Sequence, residues 1–496
     1  MLRRSKLRVA RVVNSTGSGL DAVVVGGGPN GLAAAVILAR AGLRVRLYER
    51  ESTLGGGART AELTLPGFLH DVCSAVHPMA LASPFFRAFG LAERIDLRVP
   101  DISYAHPLDG GRAGIAYRDL AATVASLGRD GGAYRRLVGP LAAHVTELAE
   151  ISGSTLVRFP RHPLLLAALG RRSLEQGGPF WNSRFAEDAA PAMLAGAFAH
   201  ANRALPDLGA ASAGLVLAAH AHAAGWPVPV GGSQAIVNSL AVDFVAHGGE
   251  IELNTPITSL AELPPARAVL LDVTPRALMA MAGDSLSNAY GRRLARFRYG
   301  NAVAKVDYAL EGPVPWTNPE LAAAVTLHLG GTRAEITASE KDVSSGRLSD
   351  SPYVLVSQPS VVDSTRAPAG NQVLWAYTHV PPGSAADREA AITAQIERFA
   401  PGFRDSILAS ASSTAVDIES HNPNYVGGDI AAGDVSFAQL VARPTLIDPW
   451  TVPMKGVYLC SASTAPGPGV HGMGGLNAAT RALAREFGIR DLPTLD

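Results

Sequence analysis

The chain has little cysteine, little charge and no long hydrophobic run. Cys73 and Cys460 are the only thiols in 496 residues, which excludes a disulfide framework and a zinc ribbon. Charged residues make up 17%, and 43 Lys+Arg balance 43 Asp+Glu. A neutral chain lacks the basic excess of a general nucleic-acid binder. No stretch reaches the roughly 18 uninterrupted apolar residues of a spanning helix. Lysine is rare, at Lys6, Lys305, Lys341 and Lys455. Residues 1–20 are basic but lack an apolar core, so they do not read as a secretory signal; a disordered tail is expected. What the chain has is apolar residues, 47% of the total. That is too many for intrinsic disorder. Over this length it is enough to bury a sizeable core.

Residues 21–26 are an apolar run ending in glycine, the pattern of a short buried strand. Gly26, Gly28 and Gly31 follow in the spacing G-x-G-x-x-G, with Pro29 and Asn30 inside it. Residues 32–41 predict a helix stopped by Gly42, and residues 44–49 a second strand closed by Glu49. Each part has a physical task. Gly26 permits the tight turn, Gly28 lets backbone approach a pyrophosphate, and Gly31 lets the helix pack on the strand. The helix N-terminus offers free N–H groups to phosphate. Glu49 can accept both hydroxyls of a ribose, and its charge opposes the 2′-phosphate of NADP. Strand, glycines, helix, strand and acid in this order point to a dinucleotide.

A second glycine run comes soon after, with Arg50 and then Gly55, Gly56, Gly57, Ala58 and Arg59. It suits a cofactor that continues past its adenosine half, with Arg59 against the pyrophosphate charge. A plain flexible turn is the alternative. With these residues the chain resembles the FAD-dependent superfamily of amine oxidases, phytoene desaturases and carotenoid isomerases. The resemblance implies FAD as cofactor. It implies a strand over 250–257 that brings Ile257 to the adenine ring, and a buried strand at 268–275. It also implies a closing strand, glycine loop and helix. There Gly474, Gly475, Leu476 and Asn477 would face the flavin pyrimidine ring and stabilise its reduced, negative form. Gly467, Gly469 and Gly472 repeat the G-x-G-x-x-G spacing, but no second strand–helix–strand unit follows them.

Residues 65–78, 421–429 and 466–477 narrow the resemblance to the phytoene desaturase-related branch. Within it they are similar to the subgroup of pyridine nucleotide-disulfide oxidoreductase domain-containing protein 2 and the carotenoid ketolases. The resemblance covers residues 21–490. It implies an α/β fold: a Rossmann-type FAD-binding domain (21–100, 226–300, 441–496) interleaved with an α+β substrate domain (101–225, 301–440). Isolated cysteines exclude the dithiol chemistry in the subgroup's name.

The resemblance implies an FAD-dependent oxidoreductase of dehydrogenase, desaturase or isomerase type. Its substrate would be lipophilic and isoprenoid- or carotenoid-like, with hydride transfer at flavin N5. Three side chains are candidates for the chemistry. Residues 301–310 alternate like a strand, similar to the one on which amine oxidases carry a lysine near flavin N5; this gives Lys305. The alternative is a lysine on the solvated face of an edge strand. His77 and His471 are expected in flavin-facing loops, as a general base, a substrate contact or a loop-fixing hydrogen bond. Asn424 and Asp429 are expected at a turn near the substrate channel. His220 and His222, two residues apart, point to different sides of a helix, so no metal site is expected.

Between residues 189 and 225 the charged residues, histidine aside, are Arg203 and Asp207; such a segment needs burial or an apolar partner. Arg158, Arg161, His162, Arg171 and Arg172 bracket a short apolar run at 163–170. This suits a helix dipping into an anionic membrane surface, or a buried helix with solvated ends. The expected setting is the cytoplasm, with peripheral membrane contact and a homodimer both open and nucleic acid excluded. A flavin amine oxidase and a non-catalytic partner-binding flavoprotein fold are the competing readings. Against the amine oxidase, no Tyr or Trp pair stands near the C-terminal loop.

Overall fold

The computed structural model describes residues 19–157, 159–181 and 183–496. The expected tail up to residue 18, and Arg158, lie outside them. Five strands form a sheet in the order Val457–Leu459, Ala268–Leu271, Ala22–Val25, Val45–Tyr48 and Glu250–Glu252. Every pairing is parallel. A parallel sheet needs helices on both faces, which accounts for the unbroken apolar runs at 22–25 and 268–271. The helix Pro29–Arg40 starts at the first glycine loop and is buried along most of its length. It packs between the helices Gln234–Ala246 and Met473–Ala482.

Several boundaries differ from expectation, two of them for a local reason. The strand predicted over 250–257 stops at Glu252. Asn254 takes a positive φ of 54° and Pro256 follows, so the ladder cannot continue. The last helix starts at Met473, not 476. Gly472 at φ 68° supplies the left-handed turn ahead of it.

A second, seven-stranded sheet runs in the order Ile407–Ser413, Ala302–Leu310, Gln372–Val380, Val354–Ser357, Thr326–Leu329, Ile102–Pro107 and Ala113–Tyr117. Neighbours are antiparallel except where Thr326–Leu329 meets Ile102–Pro107. Alternation splits the sheet into two faces. Val306, Leu327, Val356, Leu374 and Ala376 pack with Ile392, Ile396 and Phe399 of the helix Glu389–Phe399. The other face carries Tyr104, Lys305, Thr326, His328, Ser357, Trp375 and Tyr377. Ala189–Ala199, almost wholly buried, and Leu208–Ala221, mostly buried, join the apolar cluster on this side. Burial thus answers the low charge of residues 189–225. Ala302–Leu310 lies between two strands, so the solvated edge-strand reading of Lys305 is wrong.

Candidate functional site

A cavity of about 1060 Å³ is lined from both sheets. At one end stand the two glycine loops. Gly26 takes φ +101°, and a Cβ on Gly31 would lie 2.0 Å from its carbonyl oxygen. Gly56 comes so close that an added Cβ would meet the Cα of Gly28 at 3.4 Å. A Cβ on Gly57 would lie 2.0 Å from the Tyr425 hydroxyl. Gly31 and Gly57 therefore demand glycine for space, whereas Gly26 and Gly56 hold positive φ angles of 101° and 52°.

Glu49 is buried against the first loop. Its Oε2 accepts the Gly27 N–H at 2.8 Å and its Oε1 the Glu51 N–H at 2.9 Å. The strand expected over 268–275 ends at Leu271, and Asp272 follows it directly. Its Oδ2 accepts the Gly31 N–H at 3.0 Å. Burial pushes its carboxyl up to about 7, the Gly31 bond opposes the rise, and the Glu49 charge adds to it. Asn424 clamps this strand end: its Oδ1 accepts the Thr274 N–H and its Nδ2 donates to the Asp272 carbonyl. Asp429 instead ties a turn, accepting N–H groups of Gly300, Ala431 and Gly433. Arg59 donates to the carbonyls of Gly56 and His421. Arg50, Ala58, Pro29, Asn30 and Ile257 also line the cavity. A glycine cradle, a buried acid and a basic second loop fit a dinucleotide. Asp272 stands at the helix start, where a phosphate would meet its charge unless the carboxyl were protonated.

Gly474 and Gly475 do another job. A Cβ on Gly475 would lie 2.1 Å from the Asn30 carbonyl, and one on Gly474 2.3 Å from that of Cys460. The Gly474 N–H donates to Asn30 Oδ1. These glycines let the last helix press against Pro29–Arg40. Asn477 donates to the carbonyls of Met473 and Gly153. Gly474, Gly475, Leu476 and Asn477 are not lining residues; Pro466, Pro468, Gly469, Val470 and His471 are.

His77 and His471 both line the cavity. His77 Nε2 bonds Ser233 Oγ at 2.8 Å, and that hydroxyl donates to the Ser74 carbonyl. His77 is therefore the donor at Nε2. His471 Nδ1 accepts the Met473 N–H at 3.1 Å. Burial lowers each histidine to about 4. Both are neutral rings that brace loops.

Lys305 does not line the cavity. Its Nζ donates to both oxygens of Asp307, to Oδ1 at 2.6 Å, and lies 5.8 Å from the centre of the Trp375 ring. Beyond it, Arg366 is wholly buried and donates to Asp71 at 2.8 Å and Asp363 at 2.7 Å. Cys73 and Cys460 are free thiols. Among the described residues no group of His, Cys, Asp and Glu can hold a metal ion.

The far wall is apolar and aromatic, with Leu169, Val216, Leu217, Trp226, Leu355 and the stacked pair Trp375–Tyr377. Sequence reasoning missed that pair. Its signal was the alternation of Trp375, Tyr377 and His379 with Leu374, Ala376 and Thr378. The helix Pro163–Gln176 contributes Leu166 and Leu169 to the cavity, while Phe159, Leu164 and Phe180 are 95%, 86% and 76% exposed. Arg161 and Arg171 are exposed as well. Arg172 turns inward and donates to the carbonyls of Leu137, Ala168 and Arg136, so it is not part of a basic surface. No helix among the described residues is long and apolar enough to cross a membrane.

Residues 24–89 match the NAD(P)-binding Rossmann-like domain family. The chain is 25% identical over 558 residues to pyridine nucleotide-disulfide oxidoreductase domain-containing protein 2 of Rattus norvegicus, covering 92% of each. Its fold is shared with a putrescine oxidase variant (TM-score 0.58, 17% identity, 95% of this chain and 99% of that one). An oxidoreductase from Methanosarcina mazei shares it too (TM-score 0.55, 16% identity, 94% and 100%).

Proposed function

We propose that the protein is an FAD-dependent oxidoreductase acting on a lipophilic, isoprenoid-like substrate. The observation that carries this reading is one cavity that joins a dinucleotide cradle to an apolar, aromatic wall. Glu49 would bind the adenosine ribose, and Gly28, Gly56 and Arg59 the diphosphate. Contact between the two glycine loops favours FAD over a nicotinamide cofactor, which needs only the first loop. When bound, FAD would accept a hydride from the substrate at N5. The chain's own part is to position the substrate and keep water out. His77 and His471, neutral and held in their loops, shape the wall between the two ends. The exposed Phe159, Leu164 and Phe180, with Arg161 and Arg171, would dip into an anionic bilayer beside the cavity and admit the substrate from it.

An amine substrate has less support. The Trp375 and Tyr377 rings are 5.6 Å apart and nearly parallel, so no slot opens between them for an ammonium group.

The test is the absorbance of the purified protein. The wild type should carry a flavin spectrum, and Glu49→Ala should lose it. A wild type that binds no flavin, or a Glu49→Ala protein that keeps a full complement, overturns the reading.

A further inference from the structure

We propose that the sheet wall of the cavity is a hydrogen-bond donor site for an uncharged oxygen, a carbonyl or hydroxyl, on an otherwise apolar substrate. The site is formed by Thr326, Ser357, Trp375 and His200. The proposal rests on reading the cavity as a lipophilic substrate site.

Thr326 pairs with Ser357, and Ser357 with Trp375, across two antiparallel ladders. The three side chains therefore form one row on one face. All three line the cavity and all are buried. Yet Thr326 Oγ1, Ser357 Oγ and Trp375 Nε1 have no hydrogen-bond partner among the described residues. A buried polar atom without a partner is costly, and native proteins hold few of them. Three in adjacent register positions, facing an apolar pocket, form a set that a ligand would complete. The indole N–H can only donate, and each hydroxyl is free to turn and donate.

His200, also a lining residue, adds a fourth donor. Its Nε2 meets Nε2 of His328 at 2.8 Å, so one ring donates and the other accepts. Nδ1 of His328 is buried without a partner, and an added Cβ on Gly196 would lie 2.8 Å from it. An orphaned N–H is the rarer arrangement, so that nitrogen carries the lone pair and His328 donates from Nε2. His200 accepts there and keeps its proton on Nδ1. Burial lowers His200 to about 3, which keeps the ring neutral.

Charge selects the ligand class. The charged lining residues, Glu49, Arg50, Glu51, Arg59 and Asp272, all belong to the dinucleotide end. The donor row offers no cation to a carboxylate and no anion to an ammonium group. A neutral oxygen can accept from all four groups.

The experiment is calorimetric titration of the purified full chain with hexadecan-2-one, hexadecane and hexadecylamine in neutral detergent. The wild type should bind the ketone about tenfold more tightly than the alkane. Thr326→Val with Ser357→Ala should erase most of that difference and leave hexadecane binding unchanged. Trp375→Phe, which keeps a ring, should weaken ketone binding alone and serves if the double variant does not fold. Equal affinity for ketone and alkane, meaning a row that holds only water, overturns the proposal. So does absence of ketone binding, or tightest binding of the amine. Flavin absorbance of the same samples separates the two readings. Ketone preference without flavin supports the donor site and overturns the oxidoreductase reading. Flavin without ketone preference overturns the donor site alone.

Discussion

Asp272 Oδ2 accepts the Gly31 N–H at 3.0 Å, capping the first turn of Pro29–Arg40 from a strand 241 positions further along the chain. The carboxyl thus occupies the helix end at which N–H groups and dipole attract a phosphate. Two anions cannot share that place cheaply. The carboxyl, raised to about 7 mainly by burial, can yield by taking up a proton.

This predicts a pH dependence with a defined sign. A carboxyl whose folded pKa is raised stabilises the fold most below its ordinary value of 3.8 and loses that contribution as pH climbs toward 7. Melting of flavin-free protein should therefore shift downward between pH 5 and about 7.5, and Asp272→Asn should flatten the slope. FAD titrated into flavin-free protein should bind more weakly above pH 7 in the wild type only. Identical pH profiles for the two proteins would remove Asp272 from this role.

Lys305 should matter for stability before chemistry. Lys305→Met leaves the buried Asp307 carboxylate with only the neutral His70 ring, 3.5 Å away, beside it, a defect worth about 3–5 kcal/mol. Adding Asp307→Leu should restore much of the loss, because the uncompensated charge then disappears. Denaturant unfolding of the three variants measures this. A single Lys305→Met variant as stable as the wild type would contradict the pairing.

Gly475→Ala should destabilise the dinucleotide domain by about 1–3 kcal/mol, since its methyl would overlap the Asn30 carbonyl at 2.1 Å. Gly42→Ala is the control. Nothing lies within 4 Å of its would-be Cβ, though its φ of +80° carries strain of its own. Thermal melts that rank Gly42→Ala as the more damaging change would count against close helix packing.

Membrane association should follow the exposed residues. Liposomes with anionic lipid should float the wild type, while Phe159→Ser with Leu164→Ser should stay at the bottom of the gradient. Arg171→Glu should weaken flotation, most at low salt. A change at Arg172 should instead lower the melting temperature, because that side chain holds three carbonyls.

The dinucleotide half was legible because its requirements are local. Glycines without Cβ, an apolar four-residue strand and a terminal acid lie within thirty residues of one another. Asp272 was not legible, since its partner Gly31 is far away in sequence. The row Thr326–Ser357–Trp375 depends on the register of three separate strands, which no spacing encodes. Lys305 was half legible. Alternation predicts its strand, and Asp307 two residues on shares its face, so the ion pair was open to inference. Whether that strand was central or at an edge depended on neighbours from distant segments.

The close packing at Gly475 has a consequence for synthesis. Pro29–Arg40 leaves the ribosome long before its partner Met473–Ala482. Until then its alanine face stays uncovered, and the parallel sheet lacks the strand Val457–Leu459. The nucleotide-binding half therefore cannot close while the chain is growing, and a nascent chain stalled before residue 457 exposes apolar surface to chaperones and proteases.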